Sequence, residues 1–281
     1  MRLIRFGTKQ KEKPGVMYGE QRKDCSAYFT DWNHDFFQNG GLAELQTLLD
    51  KDGANLPNVS EDERWGSPIA RPGMIMCVGL NYADHAKESG MDIPKEPLVF
   101  MKATNTISGP FDPVNIPRNS TKTDWEVELG VVLKKDVLYL EDEAAAAAAI
   151  AGYCVINDLS ERAFQLEKGG QWVKGKSCPG FSPVGPYLVT PDEIEDVLSL
   201  PMNLSVNGVQ KQNGNTKTMI FKPAHTIWYL SQLMLLEAGD LISTGTPPGV
   251  GLGFDPPEYL SSGDQVELSI EGLGTQRQDY K

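Results

Sequence analysis

The sequence predicts an α+β protein in which strands dominate. Many short apolar or alternating runs are punctuated by Gly, Pro and Asn-Gly turns, whereas beyond about residue 69 only residues 225–236 form a long stretch with helical periodicity. No internal repeat and no sustained β-α-β alternation occurs, which disfavours a doubly wound sheet or a TIM barrel. With 281 residues, 40% of them hydrophobic and 23% charged, the chain can bury a substantial core.

Taken in order, residues 3–6 and 27–30 read as short strands. A helix follows, with Leu42, Leu45, Leu48 and Leu49 on one stripe. Residues 52–72 are polar, rich in turn residues and acids, and read as a linker. The expected division is a small N-terminal unit with its linker over 1–68 and a larger body over 69–281. Within the body, 74–79 reads as a strand, 82–89 as a short helix, and 125–133 as a strand that alternates and then turns wholly apolar. Residues 141–149 suit an Ala-rich helix with acids at its positive dipole end. A buried strand is expected over 152–156, a hairpin around Asn207-Gly208, and further strands over 241–243 and 265–270.

The 26 Lys and Arg are outnumbered by 38 Asp and Glu, for a formal charge of −12. That balance argues against general nucleic-acid binding and against docking on anionic lipid. An acidic chain can still take an anionic metabolite where local cations or a metal reverse the field in one cleft. Cys25, Cys77, Cys154 and Cys178 form no Cys-x-x-Cys pair, so neither a disulfide framework nor a zinc ribbon is expected. Residues 1–13 are basic without an apolar h-region, and the longest apolar run, 144–151, is too short to span a membrane. The expectation is a soluble cytoplasmic protein.

Three segments carry the residue types of an active site. In a strand, Glu126 and Glu128 share one face and Trp125, Val127 and Leu129 the other. This describes either a solvated acidic face or a cation site, and the apolar run 130–133 favours burial. Asp158 ends an apolar strand and is either a helix N-cap, with Glu161 in the capping-box position, or a third oxygen ligand suited to Mg²⁺ or Mn²⁺. His85 and Glu88 lie three apart, as a surface helix or as a carboxylate-oriented general base. His34 and His225 have no such partners nearby in sequence, and no His or Asn arrangement supports Cys178 as a nucleophile. The Gly-rich stretch 243–251 reads as a turn whose amides can meet an anion, without a P-loop ending.

These pieces occur in a fixed order from about Pro68 to the C-terminus. They are Cys77-Val78-Gly79-Leu80-Asn81-Tyr82-Ala83-Asp84-His85, Phe100-Met101-Lys102, Trp125-Glu126-Val127-Glu128, Asp158 with Arg162 and Gln165, Lys176-Ser177 and Thr244-Gly245-Thr246-Pro247. Together they resemble the fumarylacetoacetate hydrolase family. The resemblance implies a β-rich roll with a smaller N-terminal domain, usually as a homodimer. It implies Mg²⁺ or Mn²⁺ on Glu126, Glu128 and Asp158, and a water-activating dyad of His85 and Glu88. Lys176, Arg162 and Gln165 would contact an α-ketoacid substrate, with Lys176 in the catalytic set, Thr246 at the substrate's polar end and Lys102 as a further contact. Residues 160–178 are similar to a branch that hydrolyses 2,4-diketo-3-deoxy sugar acids, although Pro179-Gly180 stands where many relatives carry Asp-Thr.

The function so implied is metal-dependent hydrolysis of a carbon–carbon bond in 2,4-diketo acids (acylpyruvates), giving pyruvate and a carboxylic acid. The alternatives within the family are oxaloacetate decarboxylase and isomerase or lyase activity. A non-catalytic metal-dependent ligand binder is the alternative from another class, and the presence of His85, Glu88 and Lys176 argues against it.

Overall fold

The strands Val127–Leu133 and Ile150–Asn157 are buried along their whole length. They form the centre of a nine-stranded sheet in a computed structural model that describes residues 1–84 and 92–281. Across the sheet the order is Gln21–Asp24, Lys13–Tyr18, Arg2–Phe6, Leu188–Val189, Ile150–Asn157, Val127–Leu133, Leu241–Ser243, Ile75–Gly79 and Leu98–Lys102. Neighbours are antiparallel except Leu241–Ser243 with Ile75–Gly79. A second, four-stranded antiparallel sheet contains Val209–Asn215, Pro201–Val206, Gln265–Ile270 and Gly274–Asp279. The fold is α+β and mostly sheet, as the strand-rich sequence predicts.

Each face of the large sheet packs on something different. Val127, Leu129, Val131, Tyr153 and Val155 meet Met202, Leu204, Val266 and Leu268 of the small sheet. Val132, Cys154, Ile156 and Cys77 meet Leu3, Val16, Trp32, Phe36, Leu45 and Leu49. Glu126 and Glu128 follow the parity of Val132, and Asp158 that of Cys154 and Ile156, so one end of this second face carries all three carboxylates. Residues 1–68 supply three strands to the same sheet and most of the side chains covering that face.

Some elements differ from their sequence reading. Residues 27–30 turn instead of extending, because the amides of Tyr28 and Phe29 both donate to the Cys25 carbonyl. The strand lies earlier, in the charged Gln21–Asp24, whose Arg22 and Lys23 are buried because backbone carbonyls of Ser60, Glu61, Glu63 and Ala54 receive their charges. The helix expected over 225–236 spans Pro223–Ser231 and stops there, since Leu236 exchanges backbone hydrogen bonds with Val137. Helix Gly41–Asp52 and the hairpin at Asn207-Gly208, with φ of 52° and 77°, match expectation. Among the described residues, no helix is long and apolar enough to cross a membrane.

Trp32 joins the N-terminal strands to their helices. It is fully buried, its indole Nε1 donates to the carbonyls of Ile4 (2.8 Å) and Gly15 (3.1 Å), and its ring centroid lies 4.4 Å from that of Phe36. Trp32→Ala is expected to cost about 3–5 kcal/mol, read as a lower urea midpoint with an unchanged m-value. A loss below about 1 kcal/mol, ordinary for a surface site, would show that Trp32 does not hold this layer together.

Candidate active site

The site begins with strand register. Val127 pairs with Asn157 and Glu128 with Ile156. One step beyond the ladder, the Asp158 amide donates to the Glu126 carbonyl (2.9 Å), which sets Glu126 opposite Asp158. The three carboxylates of Glu126, Glu128 and Asp158 are buried and offer oxygens within 4.8 Å of one another, the donor set and spacing that suit a hard divalent cation. Asp158 is therefore not a helix cap. Helix Arg162–Leu166 is capped by Glu161, whose side chain accepts from the Ala163 amide (3.1 Å).

Three buried cations answer these carboxylates. Lys176 Nζ bridges Glu126 Oε2 (2.7 Å) and Asp158 Oδ2 (2.6 Å). Arg162 Nη2 donates to Glu126 Oε1 (2.7 Å), while its Nη1 donates to Gln165 Oε1 (3.1 Å) and its Nε to Asp124 Oδ2 (2.8 Å). Lys102 Nζ donates to Asp158 Oδ1 (2.5 Å) and to the Leu159 carbonyl (3.0 Å). Lys102 was expected against the substrate. Its side chain is instead wholly buried behind Asp158, because that carboxylate consumes its charge.

Electrostatics separates the carboxylates. Burial would raise Glu126, but the charges of Lys176 and Arg162 outweigh it and hold the group down to about 2. Among the described residues Glu128 has no cation of its own: Ser243 Oγ (2.5 Å) and the Gly245 amide (2.9 Å) both donate to its Oε2. Burial first, and then the charges of Asp158 and Glu126, push Glu128 well above the carboxylate range. For Lys176, burial opposes the charge, yet Asp158 and Glu126 keep its ammonium protonated. Burial raises the Cys178 thiol, which agrees with reading it as structural.

Gly245 explains the Thr-Gly-Thr segment. Its φ of 95° aims the amide at Glu128, and a Cβ would meet the Val78 carbonyl oxygen at 2.9 Å. Thr244 and Thr246 hydroxyls donate to the carbonyls of Leu129 and Val127 (both 2.9 Å), strapping the segment along the ligand strand. Sequence reasoning missed two amides that serve this strand. Gln212 Oε1 accepts from Val127 N (2.9 Å) and its Nε2 donates to Thr246 Oγ1 (2.8 Å), while Asn157 Oδ1 accepts from Glu126 N (3.2 Å). Neither neutral amide stands out in a search for charged motifs.

Above the carboxylates opens a cavity of about 540 Å³. Glu126, Glu128, Arg162, Gln165, Lys176 and Thr246 line its polar end, and Leu98, Phe100, Leu166, Trp172, Val250 and Leu252 its apolar walls. Phe100 and Trp172 meet edge to face at 5.2 Å, and Lys176 Nζ lies 5.1 Å from the Phe100 ring centroid. The structure thus gathers Glu126, Glu128, Asp158, Arg162, Gln165, Lys176 and Thr246. The expected His85–Glu88 dyad and most of the expected helix 82–89 lie outside the described residues.

The raised Glu128 carboxyl yields a pH prediction. It keeps its proton above the usual carboxylate pKa of about 4.3, and a cation must displace that proton. Mn²⁺ affinity, measured by titration calorimetry, should therefore rise with pH, with proton release visible in buffers of different ionisation enthalpy. Affinity independent of pH between about 5 and about 8 would contradict this account of the site.

Comparison with known proteins agrees with this architecture. The sequence profile described as fumarylacetoacetate (FAA) hydrolase C-terminal matches residues 74–280. A Burkholderia multivorans protein that carries only a provisional hydrolase name is 52% identical over 283 residues, covering 99% of this chain and 98% of its own. The fumarylacetoacetate hydrolase of psychrophilic Exiguobacterium antarcticum superposes with a TM-score of 0.88 at 34% identity, covering 100% of this chain and 99% of that one. The maleylpyruvate hydrolase of Sphingobium sp. SYK-6, solved with manganese(II) and pyruvate, shares the fold with a TM-score of 0.82 at 24% identity, over 100% and 98% of the two chains. With profile, full-length relative and fold in agreement, the chain belongs to the fumarylacetoacetate hydrolase family.

Proposed function

We propose that this chain is a divalent-metal-dependent hydrolase that cleaves the carbon–carbon bond of 2,4-diketo acids, acylpyruvates in the first place and 2,4-diketo-3-deoxy sugar acids as a further group. The observation that carries the reading is a cavity whose polar end is lined by Glu126, Glu128, Arg162 and Lys176, with Asp158 completing the buried carboxylate cluster beneath, and apolar walls beyond. Manganese(II) and pyruvate in the Sphingobium protein of the same fold support the same ligand chemistry.

Glu126, Glu128 and Asp158 would hold Mg²⁺ or Mn²⁺. When bound, the ion supplies Lewis acidity at the keto oxygen of the substrate. The chain's own residues account for the rest. Lys176 is kept protonated by Glu126 and Asp158, so it presents positive charge to the ketocarboxylate end at neutral pH. Arg162 and Gln165, bonded to each other, form the adjoining polar wall. His85, oriented by Glu88, would take the proton from the water that attacks the C4 carbonyl. The apolar walls would receive the acyl group and exclude bulk water from the cleavage step.

The testing experiment is a Mg²⁺-supplemented panel of acylpyruvates, 2,4-diketo-3-deoxy sugar acids and oxaloacetate, run on the wild-type chain and on His85→Ala. Pyruvate release from an acylpyruvate is expected in the wild type. In His85→Ala it should fall by ~10²–10⁴, the usual worth of a general base, while Mn²⁺ binding and any oxaloacetate decarboxylation persist. Equal loss of hydrolysis and decarboxylation in His85→Ala would assign the base elsewhere. Turnover of oxaloacetate alone would replace hydrolysis by decarboxylation.

A further inference from the structure

Asp124 lies two residues before Glu126, so Asp124, Glu126 and Glu128 form an Asp-x-Glu-x-Glu series. Only the last two reach the Asp158 cluster. Asp124 is fully buried and does different work. Its Oδ2 accepts from Arg162 Nε (2.8 Å), lies 2.7 Å from Arg162 Nη2 and accepts from the Leu252 amide (3.0 Å). Its Oδ1 accepts from the Gly251 amide (2.7 Å) and from the neighbouring Trp125 amide (2.8 Å). Gly251 is held so close that a Cβ there would meet the Glu258 carbonyl at 2.0 Å and Asp124 Oδ1 at 2.8 Å.

One carboxylate thus touches two parts of the site. Through Arg162, whose Nη2 also donates to Glu126 Oε1 (2.7 Å), Asp124 reaches a member of the metal-ligand cluster. Through the amides of Gly251 and Leu252 it holds the cavity rim, where Val250, Leu252 and Gly253 form part of the wall. Arg162 divides its guanidinium between two carboxylates. Asp124 draws part of that charge away and leaves Glu126 a stronger donor to a cation. We infer that Asp124 is a positioning residue that tunes Glu126 as a metal ligand through Arg162 while fixing the rim loop on the same anchor; this rests on the reading that Glu126, Glu128 and Asp158 hold a divalent ion.

The experiment measures Mn²⁺ binding by calorimetry and amide hydrogen exchange at Gly251 and Leu252, well below the melting transition, on the wild-type chain, Asp124→Asn, Arg162→Lys and Glu128→Gln. Asp124→Asn preserves shape but offers one acceptor oxygen where the carboxylate offers two, so some of the Arg162 and rim donors lose their partner. Removing a hydrogen-bonded partner behind a metal ligand typically costs about 10–100-fold in affinity, and a rise of that size in the Mn²⁺ Kd is expected. Faster exchange at both rim amides should accompany it. Arg162→Lys keeps the charge but cannot span both carboxylates, so it cuts the link between them and should shift the Mn²⁺ Kd by a similar factor without releasing the rim amides. It decides the question of the link if Asp124→Asn fails to fold. An unchanged Kd in folded Asp124→Asn or in Arg162→Lys overturns the inference, and the metal reading stands if Glu128→Gln has lost Mn²⁺. A wild-type chain that takes up no Mn²⁺ overturns both.

Discussion

Glu126, Glu128 and Asp158 are buried together at the floor of the cavity, where little solvent is available to dilute their charge. At separations of up to 4.8 Å, each ionised pair repels by about 3 kcal/mol or more even at an effective dielectric of ~20. The fold tolerates this only because Lys102, Arg162 and Lys176 are buried against the same groups. One of those cations, Arg162, also answers Asp124, so negative charge remains in excess among the described residues of the cluster. In the metal-free chain the excess falls on Glu128, whose carboxyl is pushed well above the carboxylate range by burial and by the charges of Asp158 and Glu126. A divalent cation suits the place of a proton there, and under the proposed function an anionic ketoacid would restore neutrality to the loaded site.

The β architecture follows from what such a cluster needs. Side chains on flexible loops would swing apart under mutual repulsion, whereas a register fixed by backbone ladders keeps Glu126 opposite Asp158. At the point where the Val127–Leu133 ladder ends, side-chain amides of Asn157 and Gln212 take over the backbone partners of Glu126 and Val127. Gln212 belongs to the small sheet, and Asn157 is tied to it through Gln278 (3.1 Å), so the second sheet is part of the site's support. Residues 1–68 cover the opposite face of the large sheet and seal its core from water.

Strand periodicity alone identifies Glu126 and Glu128 as neighbours on one face, and the apolar run beyond them indicates burial. For Asp158, local sequence spacing favours a cap and leaves a ligand open; the cross-strand pairing and the cap at Glu161 decide between them. The ion pairs were illegible because Arg162, Lys176 and Lys102 lie 18 to 56 residues from the carboxylates of the cluster they meet. Lys102 shows the limit of carrying a role by motif, since its residue type suits a substrate contact while its burial makes it a brace for Asp158. Strand Gln21–Asp24 escaped for a related reason: its buried charges are satisfied by carbonyls 31 to 41 residues away, which no local hydrophobic pattern reveals.

The central claim is that these three carboxylates form one cation site whose partners are already in place. Anomalous scattering from crystals grown with Mn²⁺ and oxalate measures this directly. The account predicts a single strong manganese peak contacting Glu126, Glu128 and Asp158, with Lys102 still on Asp158 and oxalate toward Lys176. A manganese peak elsewhere, or none at these carboxylates while Lys176 continues to bridge Glu126 and Asp158, would contradict it.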